Sequence, residues 1–197
     1  MKVYDISQEV FSCRVYSGDP TPKKETLCSM ENGDKYNLTA FSMCAHNGTH
    51  VDAPLHFIRN GKSVDALSLE HFVGEAIVTT FNGEMHKADA EKIVERNEKI
   101  DTYGAKRVLI KGNAVVLEDA AEVFAKSGIL LLGVESQSVG SYNAPMKAHL
   151  ELLSNNVVIL EGIDLKSVSD GIYTLCAAPL NLKGADGSPC RAILIEK

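Results

Sequence analysis

The sequence contains no run of lysine or arginine, no long apolar stretch and no glycine-rich phosphate loop. Its 26 acidic residues outnumber its 20 basic ones and give a formal charge of −6, whereas binding to nucleic acids and anionic membranes favours basic patches. The longest apolar runs are too short to span a bilayer. Neither the GxxxxGKS nor the GxGxxG pattern occurs. We therefore expect no nucleic-acid partner, no membrane partner and no nucleotide cofactor.

The cysteines also show no spacing typical of a disulfide framework or a metal site. The five cysteines are odd in number and include no CxxC pair, which disfavours a disulfide framework or a thiolate zinc site. Residues 1–7 lack the continuous apolar region of a signal peptide. These features predict a reduced, cytoplasmic setting. Cys44 lies two residues before a histidine, so it is read either as a nucleophile or as a small buried apolar residue.

The chain is long enough and apolar enough to bury one hydrophobic core. With 197 residues, 45% of them hydrophobic and 23% charged, it can form a single domain over residues 1–197. Short strand-like runs alternate with helical ones, which predicts a mixed α/β organisation. The predicted strands are 1–6, 75–81, 107–111, 129–134, 157–160 and 191–195. The predicted helices are 87–95, 117–126 and 148–153, and residues 16–22 are read as a loop.

Three of the six histidines fall within residues 46–56, together with one aspartate. The four side chains are those of His46, His50, Asp52 and His56. All occupy even positions, so in an extended chain they project from one face, whereas a helix would split them and have to accommodate a glycine and a proline. Pro54 should end any sheet pairing. Imidazole and carboxylate groups are ligands for zinc and also suit manganese or iron. The segment predicts a metal site with a spare base.

Each histidine alone could instead be a hydrogen-bonded core residue. Three of them beside an acid favour a cation, because their charged forms repel one another. Two distant residues add to this picture. His149 begins the predicted helix 148–153, and Glu161 follows the apolar strand 157–160, where an unpaired carboxylate is costly to bury. Both could reach the same sheet edge, although a surface histidine and a solvated acid remain the alternatives.

Residues 46–56 match at every fixed position the HxGTHxDxPxH signature of the cyclase family of metal-dependent hydrolases, whose best-known members are bacterial kynurenine formamidases. Residues 149–162 resemble the second metal-binding stretch of that family, and residues 185–192 resemble the start of its C-terminal strand. The resemblance spans nearly the whole chain. It implies a three-layer β/β/α domain of the swivelling type with mixed sheets, assembled as a homodimer or a larger homo-oligomer.

The resemblance also implies the roles of the site residues. One divalent metal would be held by His46, His50 and Asp52, and a second by Asp52 and His149, with Glu161 contributing to both. The ion would be Zn²⁺, in one or two copies, with Mn²⁺ as the alternative. His56 would be the catalytic acid/base. The implied activity is cleavage of an amide-type C–N bond of a small molecule through a metal-bound hydroxide.

The substrate is the least constrained expectation. The kynurenine formamidases usually carry a tryptophan in the N-terminal loop, and this chain contains none. Tyr16, in the same loop, could offer an aromatic face instead, or could be an ordinary turn residue. N-formylkynurenine, a step of tryptophan catabolism, is the leading expectation. The alternatives are a cyclic amide or ester, as in isatin hydrolases, a non-catalytic metal-binding protein and a closed metal site that only stabilises the fold.

Overall fold

The protein is described by a computed structural model that covers residues 1–100 and 105–196. In those ranges the chain forms 13 strands, three α-helices and five short 3-10 helices. The strands are β1 (Lys2–Asp5), β2 (Lys23–Cys28), β3 (Leu38–Ser42), β4 (His50–Asp52), β5 (Val73–Thr80), β6 (Gly83–Met85), β7 (Arg107–Lys111), β8 (Ala114–Val116), β9 (Leu131–Val134), β10 (Val158–Glu161), β11 (Gly171–Cys176), β12 (Gly187–Pro189) and β13 (Ile193–Glu196). The helices are α1 (Lys87–Ile100), α2 (Glu118–Lys126) and α3 (Pro145–Ser154). The 3-10 helices are Val10–Ser12, Met30–Asn32, Pro54–His56, Val64–Ala66 and Leu69–His71.

Nine strands form one mixed sheet in the order β1-β13-β11-β5-β7-β9-β10-β4-β12. The central strands β5, β7, β9 and β10 are parallel, and the flanking strands pair antiparallel. In the middle of these strands, residues 76–78, 108–110 and 158–160 are apolar and buried, as expected where both faces of a sheet are covered. Two smaller pairs stand apart: the antiparallel hairpin β2–β3 and the parallel pair β6–β8.

The two faces of the sheet bury different partners. On one face, Val108 and Ile110 of β7 pack with Phe124 of α2 in the helix-side core. On the other face, Leu109 shares a core with Val51 and Leu194, which come from opposite ends of the sheet. The sheet must therefore curl so that its two ends meet. This gives two β layers with the helices as a third, and it confirms the predicted mixed α/β, three-layer fold.

The structure corrects the prediction for residues 46–56. Only His50–Asp52 is a strand, whereas His46 lies in the preceding turn and His56 ends the 3-10 helix Pro54–His56. The four side chains therefore converge through turns on either side of a short strand and not along one extended face. Pro54 ends the strand as expected, because it begins the 3-10 helix.

Other predicted elements are confirmed with shifted ends. The strand 107–111 and the helix ending at Lys126 are found as predicted, and the helix predicted at 148–153 begins earlier, at Pro145. Proline is favoured at the first helical position because its ring fixes a helical φ. As a result His149 lies one turn inside α3 and not at its start. Within the described ranges, none of the helices is long and apolar enough to cross a membrane.

Candidate metal centre

Strand β4 brings the site together because it lies between β10 and β12. The register places His50 opposite Glu161 on one side and Asp52 opposite Gly187 on the other. Helix α3 carries His149, one turn from its start, to the same point. Thus the residues predicted from two distant stretches of sequence meet around β4.

Four of these side chains are almost fully buried. The exposed fraction is 1% for His50 and Asp52, and 3% for His149 and Glu161. Two carboxylates buried this deeply would be costly without compensating charge. The two carboxylates therefore need positive charge beside them.

The outer nitrogens of two histidines are held by backbone carbonyl oxygens. His50 Nδ1 lies 3.0 Å from the Gly48 oxygen, and His149 Nδ1 lies 2.7 Å from the Pro145 oxygen. A carbonyl oxygen can only accept, so in both rings Nδ1 carries a proton and donates it. In the neutral ring, Nε2 is then an acceptor with its lone pair available to a cation, which is the arrangement typical of histidines that bind metals.

These inner nitrogens point at carboxylate oxygens. His50 Nε2 lies 3.4 Å from both Asp52 Oδ1 and Glu161 Oε2, and His149 Nε2 lies 3.2 Å from Glu161 Oε1 and 3.6 Å from Asp52 Oδ2. His46 Nδ1 lies 2.9 Å from Asp52 Oδ1. Acceptors that face one another need a cation between them, either a proton or a metal ion. Within the described residues, Asp52 Oδ2 is buried with no hydrogen-bond partner.

The ligand atoms form two groups that share one carboxylate. In each group the candidate atoms lie within 4.8 Å of one another. The groups are His46, His50 and Asp52, and Asp52, His149 and Glu161. Imidazole and carboxylate donors together fit a divalent cation, so the donor set and the orphaned oxygen of Asp52 both suit a divalent metal.

Without a metal, protons balance the carboxylates. Burial alone would lower the pKa of His50, but hydrogen bonds with Asp52 and Glu161 raise it to about 10. Burial also opposes the charged form of His149, yet Glu161 raises its pKa to about 9. Burial raises the pKa of Asp52, and the contacts with His46 and His50 outweigh this and hold it well below its usual value. A metal that binds here must displace those protons.

His56 lies beside this cluster. Its side chain is more exposed than those of the four buried residues, and it hydrogen-bonds to a different carboxylate, that of Asp186. Its Nδ1 is 3.1 Å from Asp186 Oδ2, and its ring stacks on that of His46 at 4.0 Å between centroids. The same Asp186 oxygen lies 2.9 Å from His46 Nε2. His46, His56 and Asp186 also bring three ligand atoms together, but the Asp186 side chain is 45% exposed. We therefore regard the buried groups around Asp52 as the stronger metal candidates.

Sequence reasoning missed Asp186. Asp186 lies in the stretch 185–192, where no local pattern assigns it to the histidines. Its contact depends on the pairing of β12 with β4, which joins residues far apart in sequence. Burial raises the pKa of Asp186, and the hydrogen bond with His46 and the contact with His56 lower it further than burial raises it.

The cluster forms the polar floor of a pocket of about 430 Å³. Tyr16 and Phe57 line the pocket, as does Cys44, whose Sγ is 4.0 Å from Asp19 Oδ2. Tyr16 therefore lines the same pocket as the candidate ligands. The two remaining histidines lie elsewhere: His71 bonds to a backbone oxygen of its own turn, and His86 is exposed.

Comparison with known proteins agrees with the geometry. Residues 4–141 match the family described as Putative cyclase. A kynurenine formamidase of Salinibacter ruber is 34% identical over 210 residues, which cover 98% of this chain and 97% of that protein. A solved structure described as a potential metal-dependent hydrolase with cyclase activity matches with a TM-score of 0.82 at 30% identity. The match covers 98% of this chain and 96% of the chain in that structure. Isatin hydrolase A of Labrenzia aggregata, solved with bound benzyl benzoate, shares the fold with a TM-score of 0.81 at 21% identity. That match covers 100% of this chain and 94% of the isatin hydrolase chain.

The protein is a metal-dependent hydrolase similar to arylformamidases. This class follows from the curled sheet, from the His/Asp/Glu cluster whose two groups share Asp52, and from these relatives. The family match covers well over half of the chain, and the formamidase relative covers nearly all of it. The chain belongs to the Putative cyclase family.

Proposed function

We propose that the protein hydrolyses the amide-type C–N bond of a small aromatic formamide, with N-formylkynurenine as the leading substrate. Its kynurenine formamidase relatives indicate a hydrolase that acts on a carbon–nitrogen bond other than a peptide bond. The observation that carries the proposal is the buried cluster in which histidine nitrogens face the carboxylates of Asp52 and Glu161 at the floor of a pocket.

We assign the predicted ligands as two groups sharing Asp52. His46 and His50 complete the first group, and His149 and Glu161 complete the second. Zn²⁺ suits this mixture of imidazole and carboxylate, and Mn²⁺ is the alternative. When bound, a divalent ion supplies Lewis acidity, which makes water more acidic and polarises a carbonyl oxygen.

His56 is assigned the proton transfers. Because its Nδ1 donates to Asp186, its Nε2 is the basic nitrogen. Nε2 takes the proton that water loses as its oxygen bonds to the carbonyl carbon, and passes that proton to the leaving nitrogen as the C–N bond breaks. Formic acid and a neutral amine result, and the acid then loses its proton to solvent as formate. A well-placed acid/base of this kind contributes about 10²–10⁴-fold to the rate.

Substrate binding is assigned to the pocket wall. Tyr16 and Phe57 are aromatic residues that line the pocket beside the polar floor. An aryl ring packed on Tyr16 would place the formyl group toward His56, and the aromatic contact contributes about 0.5–1.5 kcal/mol beyond buried area. Tyr16 would thus take the place of the tryptophan that the chain lacks.

The proposal is tested with a substrate panel. The protein is stripped with a chelator, reloaded with Zn²⁺ or Mn²⁺, and assayed on N-formylkynurenine, a simple formanilide, isatin and an aryl ester. We expect metal-dependent release of formate, fastest from N-formylkynurenine. Faster opening of isatin or of the ester would favour the alternative substrate class. Bound metal with no hydrolysis across the panel would contradict the proposal.

Three finer expectations stay predictions: homodimer assembly, a cytoplasmic location and a place in tryptophan catabolism. The organisation of residues 1–197 as one domain is likewise a prediction. Sedimentation of the purified protein would decide its oligomeric state.

A further inference from the structure

The backbone holds Asp186 against the cluster of candidate metal ligands. The residue directly precedes β12, and its carbonyl oxygen accepts from Ala53 N at 2.9 Å. The next residue, Gly187, packs so closely that an added Cβ would lie 2.5 Å from His46 Cε1. The position of residue 186 relative to the His46 ring is therefore fixed by the pairing of β12 with β4.

One oxygen of Asp186 serves two imidazole rings. Oδ2 lies 2.9 Å from His46 Nε2 and 3.1 Å from His56 Nδ1. A carboxylate can only accept, so both nitrogens donate to it. The nitrogens left with a free lone pair in the neutral rings are then His46 Nδ1, which faces Asp52, and His56 Nε2.

Asp186 differs from the other outer acceptors of the cluster. His50 and His149 are held by the backbone oxygens of Gly48 and Pro145, which no substitution removes. His46 is held by a side chain, and the same side chain holds His56. Outer acceptors of this kind fix the tautomer and the orientation of the ring that they contact.

We propose that Asp186 is a positioning residue that fixes the tautomers of His46 and His56 through one carboxylate oxygen. It presents His46 Nδ1 to the ligand cluster and leaves His56 Nε2 as the proton acceptor. This inference rests on the proposed function, in which His46 is a ligand and His56 the acid/base.

The test compares Asp186→Ala and Asp186→Asn with the control Asp119→Asn. Asp119 is matched because its side chain is 46% exposed, against 45% for Asp186, and its Oδ2 lies 3.5 Å from His86 Nδ1. Side-chain ¹⁵N NMR of the Zn²⁺-loaded proteins reports which nitrogen of each histidine carries the proton. We expect His56 to be protonated at Nδ1 in the wild type and to lose that preference in Asp186→Ala, with no change in the control.

The functional readouts are metal affinity and the separate kinetic constants. Loss of such an outer contact costs about 10–100-fold in metal affinity or activity, and we expect Asp186→Ala to lower kcat by that factor with little change in KM. Asp186→Asn keeps one acceptor oxygen and should recover part of the loss. If Asp186→Ala fails to fold, as judged by thermal unfolding, Asp186→Asn carries the same comparison with a smaller expected effect.

An unchanged His56 tautomer in Asp186→Ala would overturn the inference, as would an unchanged tautomer in Asp186→Asn if only that variant folds. So would a rise in KM at constant kcat, which would make Asp186 a substrate contact. If the wild type hydrolyses formamides and the Asp186 variants match it in rate and metal affinity, only the positioning role fails. If the wild type hydrolyses no formamide, the proposed function fails, and the tautomer and metal-affinity measurements still decide the role of Asp186.

Discussion

His50 and Glu161 lie opposite each other in the antiparallel pair of β4 and β10, with His50 Nε2 3.4 Å from Glu161 Oε2. This pairing joins the histidine-rich segment to a carboxylate more than a hundred residues later in the sequence. Because both side chains are buried, the pair is stable only with a proton or a metal ion between them.

His56→Asn should remove turnover and leave the metal in place. The ring lies outside the buried ligand groups, so we expect kcat to fall by about 10²–10⁴-fold while metal content is unchanged. His86→Asn is the matched control, because His86 is exposed and does not line the pocket. Steady-state kinetics and elemental analysis of the same samples measure both effects. Loss of metal in parallel with activity would instead make His56 a ligand.

Asp52→Asn and His149→Asn should differ in metal content. Asp52 belongs to both ligand groups, whereas His149 belongs to one. We expect Asp52→Asn to lose all bound metal and His149→Asn to retain the ion held by His46 and His50. Metal-to-protein ratios after dialysis at fixed free Zn²⁺ measure this. Equal losses in the two variants would argue against a shared Asp52.

The metal-free protein should lose stability as the pH rises. The pKa of His50 is about 10 and that of His149 about 9 in the fold, against about 6.5 in the unfolded chain. Raised values mean that the protonated rings stabilise the fold fully below about pH 6.5, and that this stability is lost as pH rises through about 9 to 10.

Urea unfolding midpoints across that range measure the effect. With saturating Zn²⁺ the cation replaces the protons, so the decline should be shallower than in the metal-free protein. Identical slopes with and without metal would contradict the assignment of these histidines as ligands.

Gly187→Ala should disturb the site through β12. An added Cβ would lie 2.5 Å from His46 Cε1 and 2.8 Å from Val51 O, and overpacking of this kind costs about 1–3 kcal/mol. Gly171→Ala is the control, because its Cβ would meet only the Tyr173 ring, at 3.6 Å or more. Unfolding free energies and metal affinity of both variants are compared. A Gly187→Ala protein as stable as the control would show that β12 does not press on His46.

Tyr16→Ala should raise KM for aromatic formamides. Loss of an aromatic contact of about 1.4 kcal/mol corresponds to roughly tenfold in affinity, and Tyr16→Phe should keep the contact. Tyr142→Ala serves as the control because Tyr142 is 79% exposed. An unchanged KM in Tyr16→Ala would show that Tyr16 is an ordinary turn residue that does not contact the substrate.

The central strands could be predicted from the sequence because strong apolar patterns decide them. The strand 107–111 is buried on both faces and was predicted with its observed bounds. Strand β11 and the hairpin β2–β3 were missed. The hairpin is exposed on both faces and carries two lysines, so no burial pattern marks it.

The candidate site was predictable in composition but not in geometry. The motif named His46, His50, Asp52 and His56, and the structure brings these residues together, but through turns that periodicity does not reveal. Asp186 could not be found, because its contacts arise only once β12 pairs with β4.

The most direct test of the central claim follows metal binding and hydrolysis in one titration. Metal-free protein receives increasing Zn²⁺ or Mn²⁺, and bound metal and formate release from N-formylkynurenine are measured at each step. We predict that the rate rises with occupancy, saturates at one or two ions per chain and is abolished by Asp52→Asn. Full hydrolysis by the chelated protein, or complete occupancy with no hydrolysis, would contradict the account.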